Sequence, residues 1–504
     1  MSPGPESAAE TLLEGVPAAV SLAPSGPGIS LGGELVINPG QGKGVESIRS
    51  GLLEAGPLAA AGVLANGANV IVTVGLARLL TQHSYGVLIQ LTGLFLIFSL
   101  PGSAVVVAVV RRVTLWQTEE ASDQVRRWAG RIHRQGAIAA LVWILAVFAC
   151  RHWVAVLLGQ KSGIGISAIL AAAAVFILLS LDRGLLQAHR SYRPLAVNLI
   201  VEGGVRTVAV LALVAGGFGA SGAAVGILIA EVVTALHARW AAMRAWTVVP
   251  SYGVGANQGA EGEGSADGDS WNVRRWAAGW VIAVRKGPEM GGSLVERHRV
   301  VTDLVVASIS LSMIALLQNA DVLVVGRDNP SQSGAYAAVS VTSKAIVFGA
   351  IVMGGYLLPE AAIRWRQGGH ALRQLATVLV FLAVPAVLLL GIALAAPALF
   401  LRVVFHHSYA AAAPAMVPLV LAMILLSISV VLTMYLLAIG RRWVAIILTA
   451  GALGLVVAVS LVHGHLRNTA VVDLAVQAVV MIVIVIGFTV IHRVRHREHA
   501  ARLT

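Results

Sequence analysis

The chain has 504 residues, 57 % hydrophobic and only 12 % charged, with a formal net charge of +12 and a mean hydropathy of +0.83. Soluble domains carry about 25 % charged residues, and runs of twenty or more apolar residues succeed one another here with little pause, so a soluble protein is excluded. Each run is long enough to cross the ~30 Å hydrocarbon core as a helix, and too uniformly apolar to be a barrel strand, the other structure that satisfies its backbone in lipid.

Residues 1–50 are rich in Gly, Pro, Ser and Ala and predict a disordered cytoplasmic tail. Met1 to Glu14 shows neither the basic region nor the apolar core of a signal peptide. Gly40-Gln41-Gly42-Lys43-Gly44 is only superficially a phosphate loop, lacking the Walker spacing and hydroxyl. Twelve spans follow. Six of them, 57–80, 87–110, 135–158, 163–187, 194–216 and 219–242, make an N-terminal lobe over 57–242. A linker, 243–299, separates them from a C-terminal lobe over 300–492, with spans 300–324, 335–360, 373–398, 412–439, 442–462 and 470–492. Residues 493–504 form a basic tail. The linker runs through a flexible Gly/acidic stretch, Gly253 to Asp269, and then sets Trp271, Trp276 and Trp280 near one helical face beside Arg274, Arg275, Arg285 and Lys286. That pattern suits a helix lying on the inner leaflet; a loosely ordered linker with incidental tryptophans is the alternative.

With the N-terminus inside, 28 of the 36 Lys and Arg fall in inner segments and 6 in outer ones, with Arg206 and Lys344 inside spans. The asymmetry predicts a multi-pass protein of the cell membrane with both termini cytoplasmic, and explains the positive charge without nucleic acid. Cys150 is the single cysteine, so no intrachain disulfide or cysteine zinc site can form. His406-His407 and His463-Gly464-His465 fall in outer loops without a supporting Cys or carboxylate cluster. No nucleophile is joined to a base in any motif. The expectation is a non-enzyme with no metal and no cofactor.

The two halves repeat. Arg78 and Arg327 lie 249 residues apart, Tyr85 and Tyr336 lie 251 apart, and Arg112 and Arg364 lie 252 apart. Leu186-Gln187-Ala188-His189-Arg190 matches Leu437-Ala438-Ile439-Gly440-Arg441 at 251. Four ordered matches at one offset indicate two parallel copies of one membrane unit, the pattern of secondary transporters whose substrate path runs between repeats.

Ionisable groups inside spans need a partner or a cavity. Glu202 and Arg206 are one turn apart in the fifth span, and structural neutralisation is the preferred reading, with coupling-ion binding by Glu202 as the alternative. Lys344 has no acid within a turn on its own helix. It either lines a cavity as a free cation or bridges an acid on another helix, for which Glu231 in the sixth span is the nearest candidate. Glu231 and Asp321 are the candidate coupling or partner carboxylates. Asn66 and Asn69 in the first span, and Gln318 and Asn319 in the seventh, suit interhelical hydrogen bonds as well as substrate contacts. Arg78 and Arg327, at equivalent outer ends, either reach the interface or flank the mouth of a central cavity.

Ala77-Arg78-Leu79-Leu80, Ser84-Tyr85-Gly86-Val87 and the span ending Val109-Val110-Arg111-Arg112 resemble the opening helices of polysaccharide transporters in the multidrug/oligosaccharidyl-lipid/polysaccharide flippase superfamily. Asp321 to Arg327, Gly334-Ala335-Tyr336, Leu358 to Ala362, Phe405 to Pro414 and Leu436 to Arg441 have the same cast. The resemblance spans about residues 57–492. It implies twelve helices in two pseudo-symmetric six-helix lobes around a central, often cationic cavity, lined by the first, second, seventh and eighth helices. It also implies a flippase that carries undecaprenyl-diphosphate-linked oligosaccharide by alternating access, alongside cell-envelope synthesis proteins. Lys344 would line that cavity, Arg78 and Arg327 would stand at its rim, and Asn66 and Asn69 would meet the sugar. The chain lacks a dense cluster of cavity arginines and the two extra helices of lipid II flippases. The alternatives are a cation-coupled multidrug exporter, which wants Glu231 or Asp321 exposed in an acidic cavity, and a membrane glycosyltransferase or polymerase or a non-transporting scaffold. The short outer loops weigh against a transferase.

Overall fold

The computed structural model describes residues 72–115, 122–160, 162–189, 191–247, 294–366 and 372–501. The N-terminal tail, Asn66, Asn69 and the linker from the Gly-rich stretch through Trp271 to Lys286 lie outside the described residues. Every regular element among the described residues is helical. The first half comprises α1 (72–79), α2 (Gln82–Ser99), α3 (Pro101–Leu115), α4 (Ser122–Leu157), α5 (Ile164–Ala188), α6 (Tyr192–Leu213) and α7 (Gly219–Thr247). The second comprises α8 (Leu294–Asp328), α9 (Ser333–Arg366), α10 (Leu372–Ala395), α11 (Pro397–Val404), α12 (Ala413–Ala438), α13 (Trp443–Ser460) and α14 (Leu466–Ala501).

Local chemistry sets the breaks. Pro101 and Pro397 begin α3 and α11, where a missing N–H costs nothing. Thr81 caps α2 by accepting from the Ser84 N–H at 3.2 Å. The chain reverses between α6 and α7 through Gly217 (φ 85°) and Gly219 (φ 57°), conformations that a Cβ would strain. The two helices then pack antiparallel: a Cβ on Gly226 would touch Val210, and one on Gly222 would touch Leu213.

Among the described residues ten apolar segments are long enough to cross a membrane. One of them, Tyr192–Ala245, is the α6–α7 hairpin and is long enough to cross twice. Packing repeats between the halves: α5 and α6 lie on α7 as α12 and α13 lie on α14, and α4 lies on α5 as α10 lies on α12. The third span of each half lies largely exposed to lipid. Leu141, Leu145 and Phe148 face out from α4, and Phe381, Val384 and Val387 from α10. Such faces are stable only against hydrocarbon. The protein is an all-α, multi-pass membrane protein of two pseudo-symmetric six-helix lobes.

Arg112, Arg126, Arg244 and Arg442 mark one end of the bundle, called here the basic end. The lobes meet along a seam that is closest at the opposite, far end. There α2 lies against α8 and the start of α9. A Cβ on Gly86 would stand 2.7 Å from the Gly334 N atom, and one on Gly334 would overlap the Gln82 carbonyl. Gln90 Nε2 donates to Leu323 O at 2.9 Å, and Tyr409 Oη donates to Ala77 O at 2.8 Å. His83 Nδ1 lies 3.1 Å from Pro330 O. The repeat-related segments around Tyr85 and Tyr336 therefore face each other, which puts the local two-fold axis of the repeat between them.

A Gly86→Val substitution must separate these backbones. Hydrogen exchange should accelerate in residues 82–93 and 319–336 while α5 to α7 stay as protected as before. Unchanged exchange at the seam would show that it does not hold the lobes together.

Candidate functional site: buried charge networks in both lobes

Each lobe encloses a charge network. In the first lobe, Arg183 of α5 donates to Glu202 of α6 at 2.6 Å, and Arg206 donates to the other Glu202 oxygen at 2.6 Å. Arg206 also pairs with Glu231 of α7, which is 0 % exposed. Arg183 Nε donates to Asn198 Oδ1 at 2.8 Å; Asn198 Nδ2 donates to Thr234 O at 2.9 Å and to His237 Nδ1 at 3.1 Å. Two guanidinium groups and two carboxylates make a neutral ladder across three helices. Glu202 and Arg206 meet because one helical turn separates them. Glu231 joins because the hairpin register sets it opposite Arg206.

One sequence reading is corrected: Glu231 is not beside Lys344 but belongs to Arg206, in the other lobe. Arg183, 9 % exposed, closes the ladder from within α5. Its position between Leu179 and Leu185 inside one apolar run was the available signal. Toward the basic end, buried Asp182 takes His133 and Arg239, each at 3.3 Å.

In the second lobe, Lys344 is 3 % exposed. Its Nζ donates to Asn319 Oδ1 at 3.1 Å and lies 3.9 Å from Asp321 Oδ1. The other Asp321 oxygen accepts from Tyr336 Oη at 3.0 Å and from Ser340 Oγ at 3.5 Å. Tyr336, Ser340 and Lys344 are four apart on α9, so one face of that helix presents all three. Asp473 of α14, unremarked in the sequence, is fully buried, and Gln477 one turn on donates to Leu317 O of the helix that carries Asp321. Asp473 Oδ1 accepts from Gln477 Nε2 at 3.1 Å. An acid in the last span met the same criterion that singled out Glu231. Asp321 Oδ1, Asp473 Oδ2, both amide atoms of Gln318 and Thr469 Oγ1 have no hydrogen-bond partner. The cluster holds one ammonium against two carboxyls. It also adjoins the seam: a Cβ on Gly93 of α2 would come within 3.1 Å of Asn319 Oδ1.

The repeat-related arginines differ in their engagement. Arg78 Nη2 donates to Val403 O at 2.7 Å and Val404 O at 3.1 Å, capping the C-terminus of α11 in the other lobe. Arg327 is exposed and holds Asp328 only loosely, at 3.8 Å. At the far end of the first lobe a cavity of about 400 Å³ is lined by His83, Leu91, Gln160, Ser162 and Ser221 and bordered by Pro330. Among the described residues no group of three or more His, Cys, Asp or Glu could hold a metal ion.

No protein-family model matches the sequence, and no curated protein matches it. Solved structures match in fold. The lipid II flippase MurJ in an inward closed conformation superposes with a TM-score of 0.60 at 9 % identity, covering 86 % of this chain and 87 % of that one. A multidrug resistance MATE family transporter of the MOP superfamily, in an inward-facing conformation, gives 0.59 at 12 % identity over 84 % and 95 %. A MOP superfamily transporter from Pyrococcus furiosus, described as having a binding pocket of reverse polarity, gives 0.53 at 14 % identity over 88 % and 94 %. At such identities the likeness establishes a shared fold.

Two stability tests follow from the charge counts. Lys344→Gln leaves two facing carboxyls and should cost about 3–5 kcal/mol, the penalty for breaking a buried ion pair from one side. Asp321→Asn leaves Lys344 with Asp473 and should cost less, and the Lys344→Gln/Asp321→Asn double variant should recover much of the loss. Melting of the purified protein measures all three; equal damage by both single changes would contradict the charge count. In the first lobe, Glu202→Gln strands two arginines on one acid and should lower the melting temperature more than Glu231→Gln, which leaves Arg206 its Glu202 partner.

Proposed function

We propose that the chain is a transporter of the MOP type that flips a lipid-linked oligosaccharide across the cell membrane, with both termini cytoplasmic and alternating access between its lobes. The substrate is an undecaprenyl-diphosphate-linked saccharide for cell-surface polysaccharide, delivered by other cell-envelope synthesis proteins, and no covalent chemistry is involved. The shared fold supports transport. The basic asymmetry of the sequence supports the orientation. One observation favours an anionic substrate over the organic cations of a multidrug exporter. Glu231 and Asp321, the carboxylates such an exporter would display, are both 0 % exposed and occupied by Arg206 and Lys344.

In this reading the far-end seam is the closed gate of an inward-directed state. The diphosphate competes with Asp321 for Lys344, whose partner Asn319 already touches the seam. Charge-assisted bonds to phosphate are strong in a dry cavity. Arg78 and Arg327 meet the head group at the far end, and Asn66 and Asn69 of the first span meet the sugar. The excess carboxyl of the Asp321–Asp473 pair is the place for a coupling proton or cation. Glu231 is a poorer candidate, because the ladder around it is already neutral.

A deletion strain should accumulate lipid-linked saccharide on the cytoplasmic side, and proteoliposomes of the purified chain should translocate it. Lys344→Arg should keep part of the transport, because charge persists with altered geometry. The Lys344→Gln/Asp321→Asn protein, folded but without the ammonium, should lose it. Full transport by that double variant would remove Lys344 from the substrate path. Drug efflux without saccharide translocation would establish the multidrug alternative.

A further inference from the structure

A groove of about 610 Å³ opens at the basic end of the first lobe, between the start of α6 and the last turns of α7. Ligand sites fall in roughly the 300–1,000 Å³ range. Its floor is apolar, from Pro194, Val197 and Ala241; its rim carries Arg193, Arg244 and His237. The groove continues the lipid-facing surface. Val197 and Trp240 are about half exposed, and Ile200, Leu236 and Met243 are exposed beside them. Trp240 carries the Arg244 guanidinium 3.9 Å above its ring, which orients that charge at the groove.

The network behind the groove settles the hydrogen of His237. Asn198 Oδ1 is taken by Arg183, so Asn198 Nδ2 is the donor to His237 Nδ1. The ring then carries its hydrogen on Nε2, a donor on a side chain that lines the groove. Ser191 caps α6 without a side-chain hydrogen bond, so the first-turn N–H groups add positive potential. The groove thus carries two arginines and an imidazole N–H beside a strip of apolar side chains that continues onto the exposed apolar face. Basic pockets between membrane helices hold anionic lipid head groups in this way.

We propose that this groove binds an anionic phospholipid of the leaflet at the basic end, with its phosphate on Arg193 and Arg244 and the start of an acyl chain on Val197, Pro194 and Ala241. The bound phosphate would adjoin the first-lobe ladder through His237, Asn198 and Arg183. The site is independent of the transported substrate, so it stands or falls apart from the flippase reading; only the identity of the leaflet rests on the proposed orientation.

Native mass spectrometry of the full-length protein, titrated with phosphatidylglycerol or phosphatidylcholine, tests it. One phosphatidylglycerol should be retained where phosphatidylcholine is not. Arg193→Gln/Arg244→Gln should weaken retention by about tenfold or more, as loss of two basic contacts to an anionic lipid requires. Val197→Trp, which fills the floor and keeps both arginines, should weaken it as well. Both variants should melt like the unaltered protein, which separates lost binding from lost folding. Equal retention of the two lipids, undiminished retention by the double variant, or displacement by millimolar inorganic phosphate would overturn the proposal. So would a dimer that Val197→Trp abolishes, since a second copy would then fill the groove.

Discussion

A charge inside a bilayer must find an opposite charge or water, because the penalty for an isolated one is several kcal/mol even by the gentlest measures. Both lobes are built around that requirement. Arg183, Glu202, Arg206 and Glu231 bind α5, α6 and α7 into one neutral body. Lys344 ties α9 to α8 through Asn319 and Asp321, and Gln477 ties α14 to α8 by donating to Leu317 O. Helices in lipid gain little from hydrophobic burial against each other, so packing, interhelical hydrogen bonds and ion pairs carry their association. The third span of the first repeat, α4, is held by His133 to Asp182 near the basic end, while Leu141, Leu145 and Phe148 face the lipid.

The contrast between the two networks bears on the transport proposed above. The first balances two guanidinium groups with two carboxylates. The second has a surplus carboxyl and a neighbour, Gly93, across the lobe seam. Both leave polar atoms unsatisfied, Arg206 Nε and Glu231 Oε2 in the first and Asp321 Oδ1 and Asp473 Oδ2 in the second, but only the second adjoins the seam, where a change of partners would accompany motion of the lobes. The glycines of the seam serve the same end. Gly86 and Gly334 let backbones approach closely without interlocking side chains, an arrangement that holds by contact alone.

The fold does not choose the cargo. Structures of the same architecture include a lipid II flippase, a multidrug transporter and a transporter described by the reversed polarity of its pocket. In this chain Glu231 and Asp321 are buried and paired with Arg206 and Lys344, the observation behind the cargo proposed above.

The number of spans, their repeat and the asymmetry of basic residues were legible in the sequence, because each rests on local composition or on a constant offset. The pairing of Glu202 with Arg206 was legible too, since one helical turn fixes that distance. Most other partners were not. Glu231 lies opposite Arg206 only because Gly217 and Gly219 set the hairpin register. Asp321 lies beside Lys344 only because α8 and α9 present those faces to each other; nothing in the spacing of 23 residues says so. Arg183 and Asp473 show the same limit, since a charge near the end of an apolar run is a loop residue or a buried one according to what stands across from it. The sequence by itself determined that the chain crosses a membrane about twelve times in two parallel copies, because hydropathy and charge bias act on each segment alone. The tertiary structure decided which charges neutralise which, because that depends on distances between helices that no single helix encodes.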